Sequence, residues 1–289
     1  MRLIVLGSGT SHGIPVLGCA CPVCRSSDPR DKRTRASLFI KGREGEALVI
    51  DTGPEFRLQA IRAGITRLDA LLFTHAHADH IHGLDDVRPL SKDRPLPVYG
   101  NGATLDEVRE RFSYVFRETQ RGGGKPRLIL SEVSRPFDIG GFRVIPVPVK
   151  HGMLDILGWR IDEAGDEDEC GGVCRPEGLR TKGATLVKSA VYLTDTSAIP
   201  ASSVALISTP DMLVIDGLRV RPHETHFSFE QAMDTASQLG AKQVFLTHIC
   251  HDYSHKEITD YCQNYLKTRK IEDVSMEPAY DGLEVTLSW

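Results

Sequence analysis

The sequence predicts an α/β protein built as two β-sheets packed face to face, with helices outside. Two observations carry this. Short β-rich runs recur along the chain, most of them ending in glycine, aspartate or histidine, and stretches of helical period lie between them. The 289 residues are enough for one large core, and no stretch reads as a linker. The expected unit is therefore one domain over residues 1–289, with an insertion around 162–183.

In chain order the expected strands are 2–6, 37–40, 47–50, 70–73, 97–99, 142–147, 191–193, 213–215, 243–246 and 283–288. Helical periodicity is best at 55–63, 104–112, 229–239 and 256–266. Ser228 followed by Gln231 is a capping-box pattern for the third helix. Two segments read as excursions from the framework. Residues 120–127 form a glycine-rich loop flanked by basic residues, a lid, an RNA contact or plain disorder. Residues 162–183 begin acidic, become glycine-rich and carry Cys170 and Cys174.

Composition is that of a globular protein, with 40% hydrophobic and 26% charged residues. The net charge of -4 provides no global basic field for nucleic acid. No apolar run is long enough to cross a bilayer, and the opening MRLIVLGSGT reads as a first strand and not as a signal peptide. Seven unevenly spaced cysteines do not form a secreted disulfide framework, so the expected location is the cytoplasm.

The strongest chemical signal is Thr74-His75-Ala76-His77-Ala78-Asp79-His80, directly after an apolar strand. His75 and His77, two apart in an extended loop, can converge on one ion, while Asp79 and His80 start the next turn and can face a second. Zinc, manganese and iron all accept imidazole with carboxylate. Three further polar residues each follow an apolar strand: His151, Asp195 and His248. A ligand set completed from several strand ends explains all of them together, whereas a histidine-rich surface loop explains only the first group.

Thr74 to His80 with His151, Asp195 and His248 resembles the metallo-β-lactamase superfamily over nearly the whole chain. The resemblance implies an αββα sandwich, with His75, His77 and His151 on one catalytic metal ion and Asp79, His80 and His248 on another. Asp195 would bridge them. A water shared by two divalent ions (zinc or manganese) loses its proton near neutral pH and becomes the nucleophile.

Cys19, Cys21 and Cys24 place three thiols within six residues. Three thiolates ask for a fourth ligand to close a tetrahedral structural zinc site; His251 is the best choice and Cys250 the next. The competing reading is redox chemistry at the C-x-x-C pair Cys21 and Cys24, which needs no third cysteine. The Leu6-Gly7-Ser8-Gly9-Thr10-Ser11 turn, Gly13-Ile14-Pro15 and Gly18-Cys19 with Cys21 and Cys24 are similar to the phosphoribosyl 1,2-cyclic phosphate phosphodiesterase family of phosphonate breakdown. That resemblance implies a structural zinc on the cysteines and His251, and a homodimer. The pyrroloquinoline quinone biosynthesis protein shares the cysteine pattern but has a degraded equivalent of the 75–80 motif.

His226, in His223-Glu224-Thr225-His226, matches the histidine that phosphodiesterases of the superfamily use beside the scissile phosphate. The resemblance gives it charge stabilisation and leaving-group protonation, and gives Asp79 a second role as base or orienter. His223 is the substitute for His226. Arg30, Lys32, Arg33 and Arg35 form a basic cluster that faces either a phosphate or solvent. The expected function is hydrolysis of a small, cyclic-ribose-type phosphodiester. The alternatives are a ribonuclease Z-like nuclease, hydrolysis of a thioester, lactone or β-lactam, and a non-catalytic accessory or carrier protein of cofactor biosynthesis.

Overall fold

The computed structural model describes residues 1–118, 124–165 and 187–288. Among these residues the first sheet holds β1 (Arg2–Gly7), β2 (Ser37–Lys41), β3 (Ala47–Ile50), β4 (Ala70–Leu72), β5 (Leu96–Gly100), β6 (Leu128–Glu132) and β14 (Glu284–Thr286). The second holds β7 (Phe137–Ile139), β8 (Phe142–His151), β9 (Leu154–Ala164), β10 (Val187–Leu193), β11 (Met212–Asp216), β12 (Gln243–Thr247) and β13 (Ser275–Pro278). The orders are β14-β1-β2-β3-β4-β5-β6 and β13-β12-β11-β10-β9-β8-β7. Strands β3 to β6 run parallel, as do β10 to β13. The helices are α1 (Pro22–Arg25), α2 (Phe56–Arg62), α3 (Ala78–Ile81), α4 (Gly102–Arg111), α5 (Ser113–Phe116), α6 (Ala201–Ile207), α7 (Phe229–Leu239) and α8 (His255–Arg269). No helix among the described residues is long and apolar enough to cross a membrane.

The side-chain period of two distributes each strand between two cores. On β1, Leu3 and Val5 face the second sheet and meet Trp159, Ile161, Tyr192 and Val214, while Ile4 and Leu6 face α2 and α4 with Phe39, Val49 and Phe73. The second sheet turns Val191, Leu193, Leu213, Leu246 and their neighbours toward α7 and α8. Both sheets are thus covered on both faces, which is why their parallel strands are almost continuously apolar. This is the two-sheet α/β sandwich that the periodicities predict.

The expected strand at 142–147 runs on to His151 and returns as β9, which the sequence reading left out. Charged residues inside β9 conceal it. Arg160 and Asp162 are buried and paired at 2.8 Å, and Glu163 is buried against the N-terminal amine at 2.8 Å. Gly158 allows close pairing with β10, because a Cβ there would meet Tyr192 O at 3.0 Å and the Leu193 side chain at 2.3 Å. The acidic excursion expected from residue 162 therefore starts as strand; Cys170, Cys174 and Gly183 lie outside the described residues. β6, β7 and β13 were also unforeseen, being short edge or near-edge strands, and β13 contains Pro278.

The basic cluster at 30–35 is occupied within the protein. Arg33 is 1% exposed and donates to Cys250 O (2.7 Å) and Tyr253 O (3.2 Å), while Arg35 pairs with Glu55 and Arg30 with Asp28. Arg33 is thus spent on the fold, while Arg30 stays exposed with its charge balanced by Asp28, as a solvated loop requires. In the loop at 120–127, the described residues are also tied back: Lys125 Nζ donates to Arg117 O and Arg127 N to Ser91 Oγ.

Trp159 is fully buried between the sheets. Trp159→Ala is expected to lower unfolding free energy by about 3–5 kcal/mol in urea denaturation, with little change in m-value.

Candidate metal centre

The polar residues singled out by the sequence converge at one edge of the sandwich, because parallel strands deliver their C-terminal ends to the same side. β4 leads into His75, His77, Asp79 and His80; β8 ends in His151; Asp195 follows β10 and His248 follows β12. Asp195 (φ 53°) and His248 (φ 58°) hold left-handed backbone, as does Asp51 (φ 61°) after β3. Aspartate and histidine tolerate this conformation better than branched residues, yet each instance costs about 1–3 kcal/mol. Three such residues, one from the first sheet and two from the second, mark a strained rim at this edge of the sandwich.

Two four-residue groups of ligand atoms form there, beside a third of Asp216, His226 and His248. One atom each from His75, His77, His151 and Asp195 lies within 4.8 Å of the others, and the same holds for Asp79, His80, Asp195 and His248. Asp195 belongs to both. Its Oδ1 is 3.3 Å from His248 Nε2, 3.8 Å from His151 Nε2 and 3.9 Å from His75 Nε2, and its Oδ2 is 3.1 Å from His80 Nε2. His80 Nε2 and His248 Nε2 nevertheless make no hydrogen bond, although buried. His75 Nε2 and His77 Nδ1 lie 2.9 Å apart, whereas the unpartnered nitrogens of His80 and His248 converge on Asp195, an arrangement that a divalent cation would complete.

Electrostatics agree. Burial alone would push Asp195 up, but the charges of His248 and His80 hold it well below the usual carboxylate range. Asp79 is likewise held low against its burial, first by His80. Burial, with the charge of His80, depresses His75 and keeps that imidazole neutral, the form that ligates. His80 is raised well above its ordinary value despite burial, because Asp195, Asp79 and Asp51 surround it. Three carboxylates around one ring make this a place that favours positive charge, which a divalent cation would supply.

Supporting contacts fix the rings. His80 Nδ1 is 2.7 Å from Asp51 Oδ2, and Asp51 also accepts from Thr74 N (2.9 Å) and Thr74 Oγ1 (2.7 Å). His151 Nδ1 lies 2.8 Å from Thr225 O. His226 Nδ1 is 2.8 Å from Asp216 Oδ2, an oxygen that also accepts from Thr196 N at 2.7 Å. Burial pushes the His226 imidazole below its ordinary value, which favours the neutral ring, and with Nδ1 against Asp216 it is Nε2 that remains for another partner. Its ring stacks on His248 (4.7 Å, 14°) and lies 4.9 Å from His151. The predicted capping box of α7 is present, Gln231 N to Ser228 Oγ at 3.3 Å and Ser228 N to Gln231 Oε1 at 2.9 Å, and it holds the chain two residues after His226. His223 is exposed and bonds Thr225, so it is not the equal of His226.

The sequence reading missed Asp51 and Asp216. Both stand at the end of an apolar strand, the same signal that singled out His151, Asp195 and His248, and applying it evenly would have found them.

The cysteine cluster also assembles. Sγ of Cys19, Cys21 and Cys24 lie 3.4, 3.5 and 3.5 Å from His251 Nδ1. A tetrahedron with zinc–sulfur bonds near 2.3 Å and zinc–nitrogen bonds near 2.0–2.1 Å gives ligand separations of about 3.5 Å. The donor set fits zinc. A hydrogen bond from the Cys24 amide lowers Cys21 to about 6, while burial raises Cys24 to about 11, so Cys24 needs a cation to ionise. Cys250 faces away from this group, its Sγ accepting from Asp252 N at 3.4 Å.

With this geometry in hand, a sequence model of the β-lactamase superfamily domain matches residues 47–249. The chain belongs to that superfamily and has its metallo-β-lactamase fold, with histidine–aspartate clusters suited to divalent metals. Within it, the crystal structure of a diphosphatase from the PhnP family superposes with a TM-score of 0.78 at 36% identity, covering 99% of this chain and 98% of that one. The chain is therefore a member of the PhnP family. An octanoyltransferase of Porphyromonas gingivalis is 38% identical over 291 residues, 99% of this chain but 52% of that protein, so the chain spans about half its length. A ribonuclease Z of Bradyrhizobium diazoefficiens is 26% identical over 278 residues, 81% of this chain and 89% of that protein.

Asp51 holds His80 and the Thr74 backbone together without reaching the ligand groups. Asp51→Asn is expected to weaken catalytic-metal affinity about 10- to 100-fold in a chelator competition, with zinc on the cysteines retained.

Proposed function

We propose that this chain hydrolyses a phosphorus–oxygen bond of a small disubstituted phosphate, a phosphodiester or a diphosphate, with two divalent ions, zinc or manganese. The observation that carries the reading is the position of His226. Its ring lies against His248 and close to His151, backed by buried Asp216, so an imidazole nitrogen faces the space over the carboxylate–imidazole cluster. Ester, thioester and lactam hydrolysis has no need for a second polarised imidazole there; a phosphoryl group does.

In this reading His75, His77 and His151 hold one ion, Asp79, His80 and His248 the other, and Asp195 both. When bound, the pair supplies a hydroxide near neutral pH and positive charge for the phosphoryl oxygens. The chain's own groups do the remaining work. Asp79 presents a carboxylate oxygen that accepts a hydrogen bond from the attacking oxygen and so orients it. Nearly full burial of His75, His80, Asp195 and His248 keeps bulk water from their inner side, which strengthens every charge interaction. His226 is neutral at rest; an anionic phosphoryl group against its ring favours the imidazolium, which then donates its Nε2 proton to the leaving oxygen. Cys19, Cys21, Cys24 and His251 hold one structural zinc.

The likeness to the PhnP-family diphosphatase over nearly both full lengths supports phosphoryl chemistry and puts a diphosphate beside the cyclic ribose phosphodiester as substrate class. The octanoyltransferase activity named for the longer relative belongs, in this reading, to the half of it that this chain does not span. A ribonuclease Z-like role is disfavoured: the net charge is -4, and the basic residues near 30–35 are engaged within the fold. We place the protein in a reducing cytoplasm, where its zinc-binding thiols persist, and as a homodimer, following its family resemblance.

Metal-loaded protein is expected to hydrolyse bis(4-nitrophenyl) phosphate or a dinucleoside diphosphate, and a chelator to stop it. His77→Ala should abolish turnover. His226→Ala should lower kcat by about 10²–10⁴-fold with metal content unchanged. Absence of turnover on every diester and diphosphate by fully metallated protein would sink the proposal.

A further inference from the structure

Between β11 and His226 the chain passes through Leu218 and Arg219, which lie alongside the His226 segment. Leu218 N donates to Phe227 O (3.0 Å), Phe229 N to Arg219 O (2.9 Å) and Cys250 N to Leu218 O (3.1 Å). The Arg219 backbone is thus pinned between the segment that carries His226 and the loop that carries His248 and His251.

Its side chain, by contrast, is unused. Among the described residues the Arg219 guanidinium makes no hydrogen bond or ion pair, and Nε is buried without an acceptor. The other arginines withdrawn from solvent behave differently: Arg33 pairs with Asp31, Arg35 with Glu55 and Arg160 with Asp162. Its exposed neighbour Arg221 pairs with Asp252 at 3.3 Å. Arg219 forms an isolated β-bridge with Ser228, two residues after His226, which places it alongside the segment that carries that ring. With the side chain partly exposed and none of its donors engaged, an anion arriving from outside would meet a guanidinium with its fork available. Planar guanidinium groups match phosphate oxygens in bidentate fashion.

We propose that Arg219 is a specificity residue that receives the non-scissile phosphate of a diphosphate-bridged substrate, beside the leaving oxygen that His226 faces. This rests on the phosphoryl chemistry proposed above and narrows it: the preferred substrate carries a second phosphoryl group on the leaving side. The rival role for Arg219 is structural, screening the net negative charge of a zinc ion held by three thiolates next to Cys250.

The test is calorimetric titration of metal-loaded protein with ADP and with AMP, which reads binding and stands whether or not any substrate is hydrolysed. Wild type is expected to prefer ADP by about tenfold or more, the scale of one charge-assisted pair. Arg219→Gln should lose the preference while keeping AMP affinity, metal content and Tm; Arg219→Lys should keep part of it. No preference in wild type, or an undiminished one in Arg219→Gln, overturns the proposal. So does loss of zinc or early melting in Arg219→Gln, which would assign the residue to the zinc site. A failed hydrolysis assay with an intact ADP preference would instead count against the proposed reaction and leave the subsite standing.

Discussion

One buried carboxylate organises the functional edge of this fold. Asp195 is 2% exposed, and four imidazole nitrogens lie between 3.1 and 3.9 Å from its oxygens. Removing that many polar groups from water is unfavourable unless their charges and lone pairs are satisfied together. Strands β4, β8, β10 and β12 must therefore end in register with one another, and the two cores that clamp the sheets keep them there. The left-handed backbone at Asp51, Asp195 and His248 reflects the same demand, since each chain turns sharply to aim its side chain inward.

The two ligand clusters are mechanically joined. His248 and His251 sit three residues apart on one loop, whose carbonyls at Cys250 and Tyr253 are gripped by the buried guanidinium of Arg33. Arg33 itself pairs in backbone register with Ile14 at the base of the cysteine loop. The cysteine cluster thus anchors a loop that presents a histidine to the catalytic edge. A zinc ion on these four ligands would fix the position of His248, in addition to fastening an otherwise core-poor loop.

Much of this was legible in the sequence because strand-end polarity is a local signal. The 74–80 motif, His151, Asp195 and His248 each follow an apolar run, and the geometry brings them all together. Asp51 and Asp216 carry the same signal but lack the conspicuous spacing of a histidine motif, so they were passed over. β9 was illegible for a different reason: Arg160 and Asp162 pair with each other, and Arg160 and Glu163 also find partners distant in sequence, Leu206 O and the amine of Met1. In the basic run at 30–35 only Arg33 departs from a solvated loop: it is buried on Asp31 and on the carbonyls of Cys250 and Tyr253, whereas Arg30 stays exposed beside Asp28. Local pattern identifies what a strand delivers to an edge, whereas tertiary pairing decides whether a charge faces solvent, core or ligand.

The claim that Asp195 joins two cation sites is tested most directly by elemental analysis of reconstituted wild type and Asp195→Asn, which keeps size and removes charge. The account predicts two catalytic ions and one zinc per wild-type chain, and only the cysteine-bound zinc in the variant. A variant that keeps the catalytic pair, or a wild type that binds a single ion at the histidine edge, would contradict it.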